Sequence, residues 1–415
     1  MELHNFAPDF DPTHPQVQQL VHNLQPTHIT FLPDAHLGPT APVGFAARTT
    51  RVCPSVIGGD AGCGFLMLEV KPVRVDFQAL QEFLERVVPF QETPVHTVTV
   101  VQEFFEFAMS ITQCPNTPTF SEFTTRRKRF EYQFRSSIQL SSLGSGNHFV
   151  EIGRSSTSGM MAVTVHSGSR NAGQAVYQQF QQVCQVFALH GVKCQTALFT
   201  KLLDEIHAGN QVHLPILLQG PFKRAVSARF RGGTPTALSL LRTTTIEEEQ
   251  QLVLPDEYVP LYRETVEFLT IVAHVNRAAI ALQIRNYLGM ELLSSITGPH
   301  NFIRGDILRK GSQAADGKFI VALNCRDGIL VCQSSTIESA PHGSGRAGKK
   351  TELKHIPDEG EAGDVVRFWR GYNEGPGGYK DSTAAIQAIK AMGIDIVDRV
   401  MPLFSYKRGN ESASH

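Results

Sequence analysis

The sequence lacks several features that would place it in a familiar class of protein. Its 38 Lys and Arg residues nearly balance its 39 Asp and Glu residues, so the formal net charge is −1 over 415 residues. That balance argues against a surface that coats nucleic acid all over, although it permits a local basic groove. No apolar run approaches the ~20 residues that cross a bilayer. The first residues have neither the basic nor the apolar region of a secretory signal.

Cysteine is scarce and irregularly placed. The seven cysteines are an odd set without a C-x-x-C pair, which argues against a disulfide framework and favours a reducing compartment. We therefore expect a soluble, cytoplasmic protein that has no membrane partner and is a monomer. Apart from Cys63, which is discussed below, the cysteines are expected to be small buried hydrophobic residues.

The common nucleotide-binding motifs are missing as well. There is no G-x-x-x-x-G-K-[ST] and no G-x-G-x-x-G that follows a strand and opens a helix, so the P-loop and Rossmann interpretations fail. A lysine-centred K-x-D-G motif for nucleotidyl transfer is also absent. If the protein carries a covalent nucleophile, these absences point to histidine.

What the chain does have is a composition of 41% hydrophobic and 19% charged residues, enough for a sizeable core. Without a fixed repeat, a low-complexity tract or a long linker, residues 1–415 are predicted to form a single catalytic domain. Apolar runs between turn residues predict strands at 29–32, 43–47, 55–57, 65–70, 148–152, 161–166, 319–323 and 328–333. Apolar periodicity predicts helices at 77–88, 172–190, 260–288 and 383–400, the last broken or bent near Gly393. On the long helix, Asn276 shares the apolar face, so it either ties the helix to a neighbouring backbone or reaches a site; the structural role is favoured.

Histidines in glycine-rich or small-residue segments carry the chemical signal. Five of them have this setting, in which the backbone can approach a ligand closely: His36, His148, His166, His300 and His342. Asp60 and Cys63 stand three residues apart in the segment GGDAGCG. Thiolate, carboxylate and imidazole together suit zinc, manganese or another transition metal, and the set predicts a two-metal site.

Two further segments are candidate phosphate cradles. GSGNHFVE (144–151) and PHGSGR (341–346) combine small residues, which expose backbone N–H groups, and the second ends in an arginine. Asp34 and His36 form a turn that could equally lie behind the metal ligands, and they are not counted as ligands.

These motifs resemble the RtcB-type RNA ligases, which join RNA 3′-phosphate or 2′,3′-cyclic phosphate ends to 5′-hydroxyl ends with GTP and manganese. The resemblance covers residues 33 to about 409, and the motifs agree in order and spacing. They are PDAHLG (33–38), GGDAGCG (58–64), LGSGNHFVEI (143–152), HSGSR (166–170), NR (276–277), HN (300–301), RKG (309–311), HGSGR (342–346) and YKD (379–381). The implied fold is α/β (mixed α+β), a single large domain peculiar to the family.

The resemblance also implies roles for individual residues. The ligands of two Mn²⁺ ions would be Asp60, Cys63, His148, His166 and His300, with Cys63 as the bridge. His342 would attack GTP to form a His–GMP phosphoramidate. The nucleotide would contact Asn147, Glu151, Asn324, Ser344 and Gly345, stack on Tyr379 and meet Lys407 at its base edge, and the phosphates would be held by Arg170 and Arg346. The implied partner is RNA with the ends given above, and an archease-like activator is a further candidate partner.

The chain departs from the family pattern in the loop where P-G-S-M-G is usual, because it has Ala-Leu-Asn-Cys-Arg-Asp at 322–327. This departure predicts a divergent member. Two other functions therefore stay open: a metal-dependent RNA 2′,3′-cyclic phosphodiesterase without sealing activity, and a non-catalytic RNA-binding protein whose metals are structural. Two basic runs are candidate RNA contacts, although each could be a merely solvated face. They are Arg126–Arg127–Lys128–Arg129 with Phe130 and Tyr132, and Lys223, Arg224, Arg229 and Arg231 with Phe222 and Phe230.

Overall fold

The computed structural model of the chain describes residues 1–88, 96–112, 117–230, 234–243, 251–348 and 375–407, and the backbone of 366–368. Helices and strands alternate irregularly along it, so the predicted mixed α/β class is confirmed. The strands are β1 Glu2–Asn5, β2 His28–His36, β3 Val43–Arg48, β4 Gly64–Val70, β5 Phe149–Ser155, β6 Met161–Ser167, β7 Val212–Leu214, β8 Leu241–Thr243, β9 Leu292–Pro299, β10 Asn301–Arg304, β11 Ile307–Lys310, β12 Ser312–Ala314, β13 Lys318–Asn324, β14 Gly328–Gln333, β15 Ser339–Pro341, β16 Val366–Phe368 and β17 Asp395–Tyr406. The helices are α1 Pro15–Leu24, α2 Pro54–Ile57, α3 Phe77–Val87, α4 Val98–Ser110, α5 Phe120–Phe134, α6 Asn171–Leu189, α7 Gln195–His207, α8 Ile216–Arg229, α9 Thr234–Leu238, α10 Val259–Leu288 and α11 Ser382–Ala391.

The main sheet has the strand order β13-β14-β17-β5-β6-β4-β9, with β16 paired to β17. Apart from β16, its neighbours are antiparallel, so the starts of β4 and β5 lie beside the ends of β6 and β9. A second sheet has the order β1-β2-β3-β11-β10. This arrangement places several loops of the main sheet together at one edge.

The long helix α10 lies against β4 and β6 and forms part of the main core. It ends where Gly289 takes a left-handed conformation, with φ +61, which is the common way to stop a helix at a glycine. The segment Asp256–Leu288 matches a membrane-spanning helix in length and composition, but 83% of its most apolar window is buried inside the fold. A core helix of a folded domain has these properties too.

Two predicted elements are wrong. Residues 55–57 were expected to be a strand but belong to α2, where Pro54 at the first helical position fixes φ for a turn of helix. The predicted helix 383–400 ends at Ala391, because Gly393 has φ +76. Beyond it the chain becomes β17, which inserts between β14 and β5 in the main sheet.

Candidate active site

Four chemically active side chains meet because they stand at adjacent strand ends. Cys63 directly precedes β4 and His148 directly precedes β5, while His166 is the penultimate residue of β6 and His300 directly follows β9. Since these strands are antiparallel neighbours, the four positions fall on one edge of the main sheet. Asp60 joins them from the tight turn before β4.

The ligand atoms form two groups that share one thiol. In the first, Cys63 Sγ lies 3.3 Å from His166 Nε2, which is 2.9 Å from His300 Nε2. In the second, Cys63 Sγ and Asp60 Oδ2 each lie 3.4 Å from His148 Nε2. The ligand atoms of each group all lie within 4.8 Å of one another. Cys63 therefore belongs to both groups, and its role as a bridge between two ions stays a prediction.

Backbone carbonyls orient two of the imidazoles. The Nδ1 atoms of His148 and His166 lie 2.9 Å from the carbonyl oxygens of Leu143 and Asn147. This contact assigns the proton to Nδ1 and leaves the Nε2 lone pair facing the shared thiol, the arrangement common among metal-binding histidines. Burial lowers the pKa of His166 and of His300 well below the usual value, so both are neutral and ready to act as ligands.

The site suits a divalent ion on chemical grounds. Burial, together with nearby Asp60, raises the pKa of the Cys63 thiol well above its usual value, so the thiolate needs a cation beside it. Sulfur, nitrogen and oxygen donors are the set expected for zinc or manganese, and an O-donor such as Asp60 favours the harder ion. The residues present therefore fit the predicted metal pair.

A buried arginine and a buried asparagine of α10 form hydrogen bonds with the backbone at this edge of the sheet. Arg277 is 1% exposed and its Nη1 donates to the carbonyl oxygens of Gly62 and Ser167, at 2.9 and 2.8 Å. Asn276 binds the Ser142 backbone through both its N–H and its carbonyl, at 2.9 Å each. The structural role favoured for Asn276 is thus confirmed, and the NR motif holds the loops that present the ligands.

His342 stands next to the ligand cluster but is held differently. Its ring lies 4.4 Å from that of His300, centroid to centroid. Its Nδ1 lies 2.6 Å from Oδ2 of Asp34, a carboxylate whose side chain is fully buried. The same oxygen accepts the backbone N–H groups of His342 and Gly343, at 3.1 and 3.3 Å. Asp34 therefore orients His342 and leaves Nε2 as the free nucleophilic nitrogen.

Two contacts join the motif that holds Asp34 to the motif that holds His342. Gly345 has φ +81, and a Cβ there would lie 2.6 Å from the carbonyl oxygen of Asp34, so only glycine fits. Lys380 Nζ donates to the carbonyl oxygens of Pro33 and Ala35, at 3.3 and 2.8 Å. These contacts hold together segments that are more than 300 residues apart in the chain.

A cavity of about 620 Å³ opens beside His342, a volume within the usual range for a small-molecule site. Its wall includes most of the residues predicted to bind nucleotide or metal: Asp60, Asn147, Glu151, His166, His300, Asn324, His342, Ser344, Gly345, Arg346, Tyr379 and Lys407. Cys63 and His148 are buried next to those ligands. The predicted site residues therefore gather in one place, with one exception described below.

The cavity wall also includes two buried ionisable groups, Glu151 and Lys407. Glu151 is 4% exposed, and its Oε1 has no hydrogen-bond partner among the described residues. Burial raises the pKa of Glu151 to about 8, although nearby Lys407 acts in the opposite direction. Lys407 Nζ lies 5.8 Å from the ring centroid of Phe149 and 5.7 Å from that of Tyr379. A protonated carboxyl, a cation and an aromatic face can together recognise a polar heterocycle.

Comparison with known proteins finds similarity to one family of ligases. A family model described as "tRNA-splicing ligase RtcB" matches residues 16–204. RNA-splicing ligase RtcB2 of Escherichia coli strain ATCC 25922 is 23% identical over 414 residues, which cover 93% of this chain and 88% of the relative. In both comparisons the chain is similar to the RtcB ligases. RNA-splicing ligase RtcB1 of that strain and RNA-splicing ligase RtcB of E. coli K12 are each 27% identical over 174 residues, covering 38% of this chain and 40% of the relative.

The loop that departs from the RtcB pattern is closed by its own hydrogen bonds. Asn324 lines the cavity, but its Nδ2 donates to Asp327 Oδ2 at 2.8 Å and to Ser382 Oγ at 3.1 Å. Its Oδ1 accepts the backbone N–H groups of Arg326 and Asp327, at 2.9 and 2.8 Å. Asn324 therefore shapes the turn, and its predicted contact with a nucleotide stays a prediction.

Arg170 is the predicted site residue that belongs neither to the cavity wall nor to the ligand groups. It takes a left-handed φ of +58 at the start of α6, and its guanidinium occupies the space beside Gly144, where a Cβ would lie 2.2 Å from Nη1. Arg346, in contrast, lines the cavity, with its guanidinium 5.8 Å from the ring centroid of Tyr379. Of the two arginines predicted to hold phosphate, Arg346 is the one in position.

Sequence reasoning missed three contributors to the candidate site. Asp34 was considered only as support for the metal ligands, yet it holds His342. His14 was given no role, but it lines the cavity from the start of α1. Lys310 also lines the cavity, with Nζ donating to the carbonyl of Ile57 at 2.8 Å. The motifs PDAHLG and RKG contain Asp34 and Lys310, but the contact of Asp34 with His342 and the position of His14 depend on distant segments.

Of the remaining predictions for cysteine and aromatic residues, some are confirmed and one is wrong. Cys53, Cys184, Cys325 and Cys332 are buried as expected, Cys114 lies outside the described residues, and the expectation is wrong for Cys194, which is exposed just before α7. In the basic runs, Phe130 and Phe222 are buried in the core and Phe230 is half-buried. Tyr132 is 88% exposed. Arg231 lies outside the described residues.

Proposed function

We propose that this protein is a GTP- and Mn²⁺-dependent RNA ligase. It joins RNA 3′-phosphate or 2′,3′-cyclic phosphate ends to 5′-hydroxyl ends through a His342–GMP intermediate, in RNA repair or tRNA splicing. The observation that carries the proposal is the position of His342: Nδ1 is held at 2.6 Å by buried Asp34, and the ring lies 4.4 Å from His300 at the cavity wall. A purely structural metal site has no need of a second, carboxylate-held histidine beside it.

Each part of the cavity has a place in this reaction. The metal ligands would be Asp60, Cys63, His148, His166 and His300, and bound Mn²⁺ would neutralise the charge of the reacting phosphates. Arg346 would contact the phosphates, and the small residues Ser344 and Gly345 would allow them to approach the backbone. The guanine would lie near Tyr379, Glu151 and Lys407, which also line the cavity.

The chemistry at His342 balances without further cofactors. Nε2 attacks the α-phosphorus of GTP, the P–O bond to the β-phosphate breaks, and pyrophosphate leaves; Nδ1 keeps its proton, which Asp34 holds. A 3′-phosphate oxygen of the RNA then attacks the same phosphorus, and the N–P bond breaks. The 5′-hydroxyl finally attacks the activated 3′-phosphate, so that the new phosphodiester forms, GMP leaves and the hydroxyl proton passes to solvent water. A 2′,3′-cyclic phosphate end is first opened by water to the 3′-phosphate.

The direct test is the intact mass of the protein after incubation with GTP and MnCl₂. The expected result is a gain of one GMP that is lost in His342→Ala and kept in His22→Ala, which removes an exposed histidine from α1. A gain of GMP in His342→Ala would overturn the assignment of the nucleophile. The wild-type protein should then convert RNA with a 3′-phosphate and a 5′-hydroxyl into a circle or a longer strand.

The hydrogen bonds of Asn324 favour keeping one alternative function, a metal-dependent cyclic phosphodiesterase. The side-chain amide of Asn324 is hydrogen-bonded to Asp327 and Ser382 and is therefore not open to the cavity. If that loop prevents GTP activation, the protein would open 2′,3′-cyclic phosphates with Mn²⁺ alone, without a GMP adduct and without sealing. The same mass measurement, followed by analysis of RNA ends, separates the two functions.

A further inference from the structure

The solvent-facing side of α5 carries a stripe of cationic and aromatic residues. Lys128, Tyr132 and Arg135 follow one another at positions i, i+4 and i+7, which places them on one face of the helix and its C-terminal cap. All three are exposed, and Tyr132 is 88% exposed. A large aromatic side chain this open to water contributes little to the core, so packing does not explain why a tyrosine stands at position 132.

A second cationic helix packs against α5. Helix α8 is in contact with α5, buries Phe222 and Val226, and exposes Lys223 and Arg224. It contains no acidic residue. The two basic runs that the sequence presents far apart, on α5 and α8, therefore lie on neighbouring helices. We call the exposed residues Lys128, Tyr132, Arg135, Lys223 and Arg224 the helical basic patch.

The other cations of these helices are already engaged, and among them Arg126 donates to the carbonyl oxygen of Glu264 at 3.4 Å. Arg127 pairs with Glu131 at 3.0 Å, Arg129 with Glu264 at 3.3 Å and Arg229 with Asp204 at 2.8 Å. Of the two acidic residues in α5, Glu131 is thus taken, and Glu122 caps the helix by accepting from the Thr119 backbone at 2.7 Å. Within the described ranges, the four cations of the patch have no acidic partner.

We propose that the helical basic patch binds single-stranded RNA outside the catalytic cavity, with the cations on backbone phosphates and Tyr132 stacked on a base. The proposal rests on the proposed ligase function for the identity of the polyanion. Unpaired cations beside an open aromatic ring are the combination that sequence-tolerant single-strand binding uses. Because the net charge of the chain is −1, attraction of RNA depends on such a local cluster rather than on the overall charge.

The test compares two sets of four substitutions in the full-length protein. The patch variant carries Lys128→Gln, Arg135→Gln, Lys223→Gln and Arg224→Gln, which removes the charges, leaves polar side chains and keeps helix propensity at the three helical positions. The control variant removes the same charge elsewhere, with Lys71→Gln, Arg74→Gln, Arg154→Gln and Lys390→Gln, all exposed positions. The probe is a labelled RNA that extends roughly 20 nucleotides beyond each reactive end, since such sites cover ~4–16 nucleotides.

We expect the patch variant to bind this RNA roughly 10- to 100-fold more weakly, and the control variant to bind within about twofold of wild type. The slope of log affinity against log salt should fall by about 0.7 for each RNA phosphate that the variant no longer neutralises. Tyr132→Ala should weaken binding about tenfold at unchanged salt slope, and Tyr132→Phe should restore it, because only the ring stacks.

The mass gain from GTP is measured on the same variants and should be unchanged, because the patch lies outside the cavity. If the GMP adduct is missing from wild type, the ligase function fails; if the adduct forms but the patch and control variants bind RNA equally well, the patch proposal fails. In that second case the patch would serve an acidic protein surface instead. Equal weakening by both variants would also overturn it, since only total charge would then matter.

Discussion

The two kinds of histidine in the cavity differ in what holds their Nδ1 atoms. His148 and His166 donate to backbone carbonyls, whereas His342 donates to the buried carboxylate of Asp34. A neutral carbonyl fixes the ring without adding charge, which suits a metal ligand whose charge balance is set by thiolate and carboxylate. A carboxylate also stabilises positive charge on the ring, which suits a nucleophile that becomes cationic as it attacks phosphorus. The holding group therefore differs between two of the proposed ligands and the proposed nucleophile.

The largest expected effect comes from removing the thiol that both ligand groups share. Cys63→Ala should release bound Mn²⁺ and abolish the GMP adduct, because each group of three ligands contains this residue. Metal content by mass spectrometry of the dialysed protein and intact mass after GTP check the two outcomes. Cys194→Ala is the matched control, since that thiol is exposed. Full labelling of Cys63→Ala would refute the metal assignment.

Asp34→Asn tests the other side of the comparison. The amide keeps the size of the side chain but removes its charge, so Nδ1 is no longer held by a carboxylate. We expect the rate of GMP transfer to fall roughly 10²- to 10⁴-fold, the range for losing such a group, while Mn²⁺ content stays that of wild type. Asp204→Asn, on the surface, should leave both unchanged. Loss of Mn²⁺ in Asp34→Asn would mean that Asp34 belongs to the metal site.

The role of Asp34 also marks the limit of sequence reasoning. The metal ligands were predictable because each stands in a distinctive short motif, and α10 and β14 were predictable from their apolar patterns. The contact between Asp34 and His342 joins positions 308 residues apart, and no local pattern encodes it. Likewise, β17 was wrongly predicted as helix. Helix α11 ends at Ala391, two residues before Gly393, and the pairing of β17 depends on strands that are distant in the sequence.

A second buried carboxyl extends the comparison, because Glu151 has no hydrogen-bond donor at Oε1. Its pKa, raised by burial to about 8 from 4.5, means that the folded protein holds this proton more tightly than the unfolded chain. Stability from this group is complete below about pH 4.5 and is lost as pH rises towards 8. The free energy of unfolding changes by at most about 1.4 kcal/mol for each pH unit in this range, so the total change is a few kcal/mol.

Glu151→Gln should remove that pH dependence. The variant is expected to be more stable than wild type at pH 9, and the advantage should shrink towards pH 5, as measured by urea unfolding at each pH. Glu85→Gln, on the exposed side of α3, is the control and should follow the wild-type curve. Parallel curves for Glu151→Gln and wild type would show that Glu151 is ionised throughout, with a partner that the free protein supplies.

The smallest expected effect is at the divergent loop, where it tests whether Asn324 stabilises the turn or contacts the nucleotide. In Asn324→Ala the hydrogen bonds to Asp327, Ser382 and the backbone of Arg326 are lost, which should cost about 1–2 kcal/mol of stability. Because the amide is already engaged within the loop, affinity for GTP should change by less than about threefold. Ser382→Ala removes one of the same bonds and should reproduce part of the stability loss. A tenfold weaker GTP affinity with unchanged stability would instead mean that Asn324 turns to the nucleotide, as the RtcB resemblance predicts.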